Sequence, residues 1–120
     1  MKKNPAHVGR SLKEVVDELL NNPHFRVAYQ RQVLIGKLGR MVRKMRIDAG
    51  LTQAELATRM STKQSVISRL ETGKTGRLPC LWRLSQIARA CGRKMRLRFV
   101  DPEVKIVEDD LTIIVSRFHS

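Results

Sequence analysis

Between positions 53 and 77 the chain gathers side chains suited to recognition rather than to bond-making. Lys63, Gln64 and Ser65 are consecutive, Ser68 and Arg69 follow, and Gln53, Lys74, Thr75 and Arg77 flank them. A glutamine amide can pair bidentately with the edge of adenine, and lysine or arginine with that of guanine. Residues equipped for catalysis are scattered instead. His7, His24 and His119 lie far apart, with no HExxH motif, no metal-ligand cluster and no paired carboxylates in a shared motif. The glycines form no phosphate-cradling loop. Cys80 and Cys91 are eleven residues apart and make no CxxC pair, which fits two reduced thiols in or near a core. The expectation is a binding protein, not an enzyme, with no metal and no cofactor.

Base-edge readers need an element that can enter a groove, and the sequence supplies one. Thr52 and Glu55 stand at the spacing of a capping box, hydroxyl at the N-cap and carboxylate three residues on. They open a short helix over 53–60 with Leu56, Ala57 and Met60 facing inward. Ser61 and Thr62 break the pattern. A second short helix over 64–71 buries Val66 or Ile67, and Leu70, and Gly73 ends it. Two short helices joined by about three residues have the spacing of a helix-turn-helix, in which the first helix braces the second across the major groove.

Further helices surround this pair. Ser11 and Glu14 form another capping box, ahead of Leu12, Val15, Val16, Leu19 and Leu20 at helical spacing, and Asn21, Asn22 and Pro23 end that helix. A second helical stretch begins near His24. A longer helix runs from about Arg31 to Ala49, with Leu34, Leu38, Met41, Val42 and Met45 as its apolar stripe and Gly50 closing it. Gly36 and Gly39 weaken it by about 1 kcal/mol each relative to alanine. Pro79 starts a last helix in which Leu81, Leu84, Ile87, Ala88 and Cys91 share a face and Gly92 is the stop. Trp82, beside that stripe, suits either the edge of the core or a partner contact.

After Gly92 the period falls to two. Lys94, Arg96 and Arg98 alternate with Met95, Leu97 and Phe99, as in a strand. Residues 104–107 and 111–118 are two further candidate strands, with a turn at Glu108, Asp109 and Asp110. The fold class is mainly α, with an extra N-terminal helix and a C-terminal β segment. Three regions follow: an N-terminal arm (1–30), a helix-turn-helix domain (31–92) and a β extension (93–120).

Charge narrows the partner. The 120 residues carry 24 Lys plus Arg against 11 Asp plus Glu, a formal net charge of +13. Residues 21–98 hold eighteen basic and three acidic side chains, whereas 99–120 hold two and five. A polyanion-binding middle between less basic arms is the natural reading. Aromatics make up only 4% of the chain, too few for the stacked rings that grip single strands. The partner is a polyanion: nucleic acid, an acidic membrane surface or an acidic protein, and the helix-turn-helix spacing favours duplex DNA among them. No apolar run approaches the roughly 18 residues of a membrane span. Lys2 and Lys3 are followed by Asn4, Pro5, Ala6 and His7 where a signal peptide needs apolar residues. The expected place is the cytoplasm, on the nucleoid, without a membrane partner.

Over residues 40–92 the stretch from Gly50 to Ala57, the stretch from Gln64 to Lys74, and the closing segment from Pro79 to Gly92 closely resemble the XRE family of lambdoid-repressor-like helix-turn-helix proteins. The resemblance implies a lambda-repressor-like helical bundle and a transcriptional regulator. It implies base contacts by Lys63, Gln64, Ser65 and Arg69, phosphate contacts by Gln53, Ser68, Lys74, Thr75 and Arg77, and a structural ion pair between Arg46 and Glu71. Gln53 holds a phosphate or supports the reading Gln64. Arg69 reaches a base or phosphate, or lies along the surface. The turn departs from the family: Ser61, Thr62 and Lys63 replace glycine, an aliphatic residue and serine. Ser61 is thus expected in a left-handed conformation, and Thr62 as the N-cap in place of Lys63.

The flanks are similar to antitoxins of the HigA type, with residues 19–29 as a leading segment and a strand straight after the module. That likeness implies a homodimer joined through Met95, Leu97 and Phe99, a palindromic operator, and a small RNase toxin of the RelE superfamily as partner. The alternative is a stand-alone regulator without a toxin. The strand either pairs with its copy or forms a hairpin within one chain. The apolar face of the first helix docks either on the protein's own core or on the toxin, with the acidic stretch at Glu108, Asp109 and Asp110 as the competing site.

Overall fold

The computed structural model describes residues 10–107, 109 and 111–115, and over them five helices follow one another. They are α1 (Leu12–Leu20), α2 (Pro23–Asp48), α3 (Gln53–Arg59), α4 (Gln64–Thr72) and α5 (Leu81–Ala90). The local starts and stops are those the side chains dictate. Ser11 caps α1, its hydroxyl accepting from the Glu14 N–H at 3.1 Å while the Glu14 carboxylate reaches back to the Ser11 N–H. Asn22 caps α2 by accepting from the His24 N–H at 3.0 Å, and Pro23 occupies the first turn, where its missing N–H costs nothing.

The stretch near His24 and the helix expected from Arg31 are one continuous helix of 26 residues, about 39 Å long. Gly36 and Gly39 do not interrupt it. Its buried stripe is Ile35, Gly39, Val42 and Met45, while Leu34, Leu38 and Met41 are only half-buried. The expected stripe is thus displaced at its N-terminal end, and Gly39 supplies the reason. A Cβ there would lie 2.4 Å from the Leu70 carbonyl oxygen and 2.9 Å from that of Glu71. The end of α4 crosses α2 with its backbone against the missing side chain, which turns the neighbouring face of α2 inward.

Val42, Met45, Leu51, Leu56, Ala57, Ile67, Leu70, Ile87, Ala88 and Cys91 form the core around this crossing, so every helix from α2 to α5 contributes. Ile67 is the buried member of the Val66 and Ile67 pair. Arg59 ties α3 to the end of α5, its Nη1 donating to the Ala90 carbonyl at 2.9 Å. The arm is different. No residue of α1 is buried, and Leu12 is 80% exposed. The helix folds back beside α2, and Arg26 Nε donates to the Leu20 carbonyl at 3.0 Å, closing its C-terminal end.

Three expectations need correction. Helix α5 begins at Leu81, not Pro79, because Cys80 takes the N-cap and its Sγ accepts from the Arg83 N–H at 3.5 Å. Trp82 is 71% exposed and is no part of the core edge. No strand ladder forms among the described residues, so the C-terminal β segment is not seen. The physical reason is that a ladder needs a second row of N–H and C=O groups, and among the described residues none pairs with residues 95–100. Leu97 and Phe99 are exposed accordingly, Phe99 by 95%. Residues 111–114 instead lie half-buried, with Leu111 packed against the core. The N-terminal lead-in, His7, His119, Glu108, Asp110 and the end of the last candidate strand fall outside the described residues.

Candidate nucleic-acid interface

Helices α3 and α4 form a two-helix unit whose geometry follows from its short linker. The Thr52 hydroxyl accepts from the Glu55 N–H at 3.1 Å, and the Glu55 carboxylate accepts from the Thr52 N–H at 3.0 Å. The second of these bonds is the main reason the Glu55 carboxyl is held below the usual carboxylate range. Ser61 has φ of 53°, the left-handed conformation expected at the turn without glycine. The Ser61 N–H donates to the Thr58 carbonyl at 3.1 Å and the Thr62 N–H to that of Ala57 at 2.9 Å, so the turn is bound to the helix before it.

Lys63, not Thr62, occupies the N-cap of α4, and no side chain caps it. The expected Thr62 cap is therefore corrected. With the Thr62 backbone bonded back to α3, the chain enters α4 one residue later than a Thr62 cap requires. The first N–H groups of α4 are left without a side-chain acceptor at the end of the helix where an anion is favoured. Lys63, Gln64 and Ser65 are exposed there, and Arg69 is exposed one turn further on. Gly73, with φ of 73°, closes the helix in the left-handed conformation.

Beneath this surface lies a chain of polar contacts. Glu71 is buried, and Arg46 on α2 grips it with two bonds: Nε to Oε2 at 2.6 Å and Nη2 to Oε1 at 3.0 Å. Arg46 Nη1 also donates to the Leu51 carbonyl at 2.8 Å, which anchors the entry to α3. The Glu71 hydrogen bond raises the Arg46 pKa further above its ordinary value, against the opposing effect of burial. Gln53 Nε2 then donates to the same Glu71 Oε1 at 3.2 Å, and Gln64 Nε2 donates to Gln53 Oε1 at 3.5 Å. The expected ion pair is present, and it is joined through Gln53 to Gln64.

A helix-turn-helix domain model matches residues 37–98. The chain belongs to this helix-turn-helix family. The match begins ahead of Gly39 and ends at Arg98, so it takes in α3, α4, α5 and the core half of α2. Neither the curated proteins nor the solved structures give a match.

In this helix-turn-helix the residues expected at phosphates fall into two groups. Gln53 and Ser68 are half-buried beside the two-helix unit. Lys74, Thr75 and Arg77 follow α4, with Lys74 and Arg77 exposed. There Thr75 Oγ1 donates to the Arg77 carbonyl at 2.7 Å, which folds the loop and sets its backbone before any ligand arrives. The link between Gln53 and Glu71 is the part that residue types alone did not reveal. Its one signal is spacing: with Thr52 at the N-cap, Gln53 opens α3 close to where α4 ends.

Among the described residues no group of three or more His, Cys, Asp or Glu could hold a metal ion. Nor is any helix of the described residues long and apolar enough to cross a membrane.

Proposed function

We propose that the chain is a sequence-specific repressor that binds duplex DNA as a two-fold dimer and serves as the antitoxin of a type II pair, neutralising a small RNase toxin and repressing its own operon. The observation that carries the DNA reading is the N-terminus of α4. It exposes Lys63, Gln64 and Ser65, with Arg69 one turn on, on a helix braced by α3 in a module with a large basic surplus. In this reading those four side chains meet base edges, and Gln53, Ser68, Lys74, Thr75 and Arg77 hold phosphates. The protein is a binding module rather than an enzyme, needs no cofactor, and works in the cytoplasm on the nucleoid.

Selection from random duplexes, followed by gel shifts, tests this. Gln64→Ala should cost about 1–3 kcal/mol and relax preference at one base pair. Unchanged specificity removes Gln64 as the reader.

The dimer is supported by residues 95–100, where Met95, Leu97 and Phe99 are exposed next to the module. An unpaired strand edge is a liability that pairing with a second copy removes. Half-sites would then lie about 34 Å apart or a multiple of it. A Leu97→Pro variant that stays dimeric in sedimentation and binds DNA normally rules the strand out as the joint.

The toxin reading draws on the arm. Leu12, Leu19 and Val27 are exposed there, alongside Glu14, Asp17 and Glu18. A nine-residue helix is too short to stand alone, and an acidic apolar surface suits an RNase whose cations meet the phosphate it attacks. Deleting residues 1–22 or 102–120 and co-expressing each product with the neighbouring open reading frame tests both acidic segments. If neither deletion lowers protection, both are excluded as the neutralising surface. A neighbour without toxicity leaves a stand-alone regulator.

A further inference from the structure

We propose that residues 94–98 are a second DNA contact: Lys94, Arg96 and Arg98 hold phosphates of the same duplex that α4 enters, beside the recognition helix. The proposal rests on the reading of the chain as a duplex-DNA binder.

All three cations are exposed, and none of them forms an ion pair with a described residue. Their neighbour Arg93 does, with Asp48 at 3.7 Å, and Asp48 also takes Lys44 at 3.1 Å. Asp101 and Glu103 follow within a few residues and still leave the three unpaired. Three like charges within five residues repel one another. A polyanion offsets that repulsion and makes the cluster favourable.

The spacing suits a phosphate backbone. Residues 94–100 donate no backbone hydrogen bond to a described residue, so no helix or turn coils them. An extended chain sends alternate side chains to the same side, about 6.6 Å apart. A duplex strand carries a phosphate about every 3.4 Å along its axis, so successive cations match every second phosphate. Met95, Leu97 and Phe99 leave the other side, free for the proposed joint with a second copy. Pairing two copies through that side doubles the cations on this one. Like charges facing across a strand pair destabilise it, and phosphates relieve the cost.

The segment leaves the domain close to the start of α4. Arg59, the last residue of α3, donates to the Ala90 carbonyl at 2.9 Å, and Lys63 is only four residues beyond Arg59. Six extended residues reach about 20 Å from Ala90, more than the roughly 12 Å width of a major groove. Arg96 can therefore reach the backbone that flanks the groove holding α4.

The test compares the full-length wild type with a segment variant, Lys94→Gln, Arg96→Gln and Arg98→Gln, on a duplex selected by the wild type. A control variant, Lys13→Gln, Arg31→Gln and Arg43→Gln, removes the same charge from exposed positions of α1 and α2. Each phosphate contact contributes about 0.9 to the slope of log affinity against log salt. Per bound protomer, counted by sedimentation of the complex, the slope should fall by about 2.7 in the segment variant and by less than about one in the control. Between about 50 and about 200 mM salt the first figure is roughly fortyfold in affinity. Base preference should stay as in the wild type. Hydroxyl-radical footprints of the segment variant should lose protection beside the α4 half-site and keep it within.

A wild-type slope in the segment variant overturns the proposal and leaves the three cations to an acidic protein surface. A control variant that loses as much slope also overturns it, because net charge alone then accounts for the effect. So does protection lost within the half-site rather than beside it. A wild type that prefers no sequence refutes base reading by α4, while the slopes on a random duplex still decide this contact. A wild type that binds no duplex overturns both.

Discussion

Gly39→Ala should destabilise the protein, although alanine is the better helix former. At 2.4 Å from the Leu70 oxygen and 2.9 Å from the Glu71 oxygen, the new methyl would meet backbone and not a movable side-chain tip. Carbon–oxygen contacts settle near 3.3–3.6 Å, so α4 would have to move about 1 Å away from α2. That displacement pulls directly on the bonds between Arg46 and Glu71 and opens the core around Val42, Ile67 and Leu70. Overpacking of this kind costs about 1–3 kcal/mol and sometimes more. A backbone clash belongs at the upper end, near 3 kcal/mol, and the helix-propensity gain of about 1 kcal/mol offsets only part of it. The net loss is then roughly 2 kcal/mol, or roughly 8–16 °C in Tm for a domain of 60–100 residues. Gly36→Ala is the control on the same helix. Its methyl would come only within 3.4 Å of Arg40 Nη1, the end of a flexible side chain, so the propensity gain of about 0.5–1 kcal/mol should survive. Urea and thermal melts followed by circular dichroism measure both. Gly39→Ala melting at or above the wild-type temperature would refute the close-approach reasoning.

The remaining predictions concern the caps, the thiols and the salt dependence. Thr52→Ala should lose about 0.5–2 kcal/mol, measured by urea melts. Because the Glu55 carboxyl is held below its ordinary value by the Thr52 N–H and hydroxyl, its stabilising share is complete above the unfolded carboxylate pKa and fades as pH falls through the lower folded one. The stability gap between wild type and Glu55→Gln should therefore narrow from neutral pH towards about pH 3; a gap that widens in acid contradicts the assignment. Cys80 is exposed, whereas Cys91 is buried and burial pushes its thiol up. A thiol reagent should modify Cys80 promptly and Cys91 only at the rate of unfolding, and two equally fast thiols in the native protein would count against the core position. Lys74→Ala should weaken binding to all duplexes alike and lower the slope of log affinity against log salt by about one, read from a salt titration.

What the sequence discloses here depends on the distance over which each feature acts. The capping boxes at Ser11 and Thr52 are complete within four residues, and both form as their types demand. The left-handed Ser61 was legible only through the family resemblance, which has glycine at that position. The ion pair of Arg46 with Glu71 spans 25 residues and was legible only through the family resemblance. Gly39 misleads when taken locally: a propensity scale counts it as a weakness, yet it is the position where α4 crosses, and no periodicity in α2 can report the carbonyls of another helix. The Thr62 cap fails in the same way, because hydroxyl chemistry favours Thr62 while its backbone is already bound to Ala57. The strand at residues 95–100 is not seen within the single chain, because its pattern is local while a ladder needs a second row of hydrogen-bonding groups from elsewhere. The candidate site divides along this line too. Lys63, Gln64, Ser65 and Arg69 can be named from their types, but the bonds that run from Arg46 through Glu71 and Gln53 to Gln64 join α2 to the end of α4 across the chain, and only the resemblance implied any part of them.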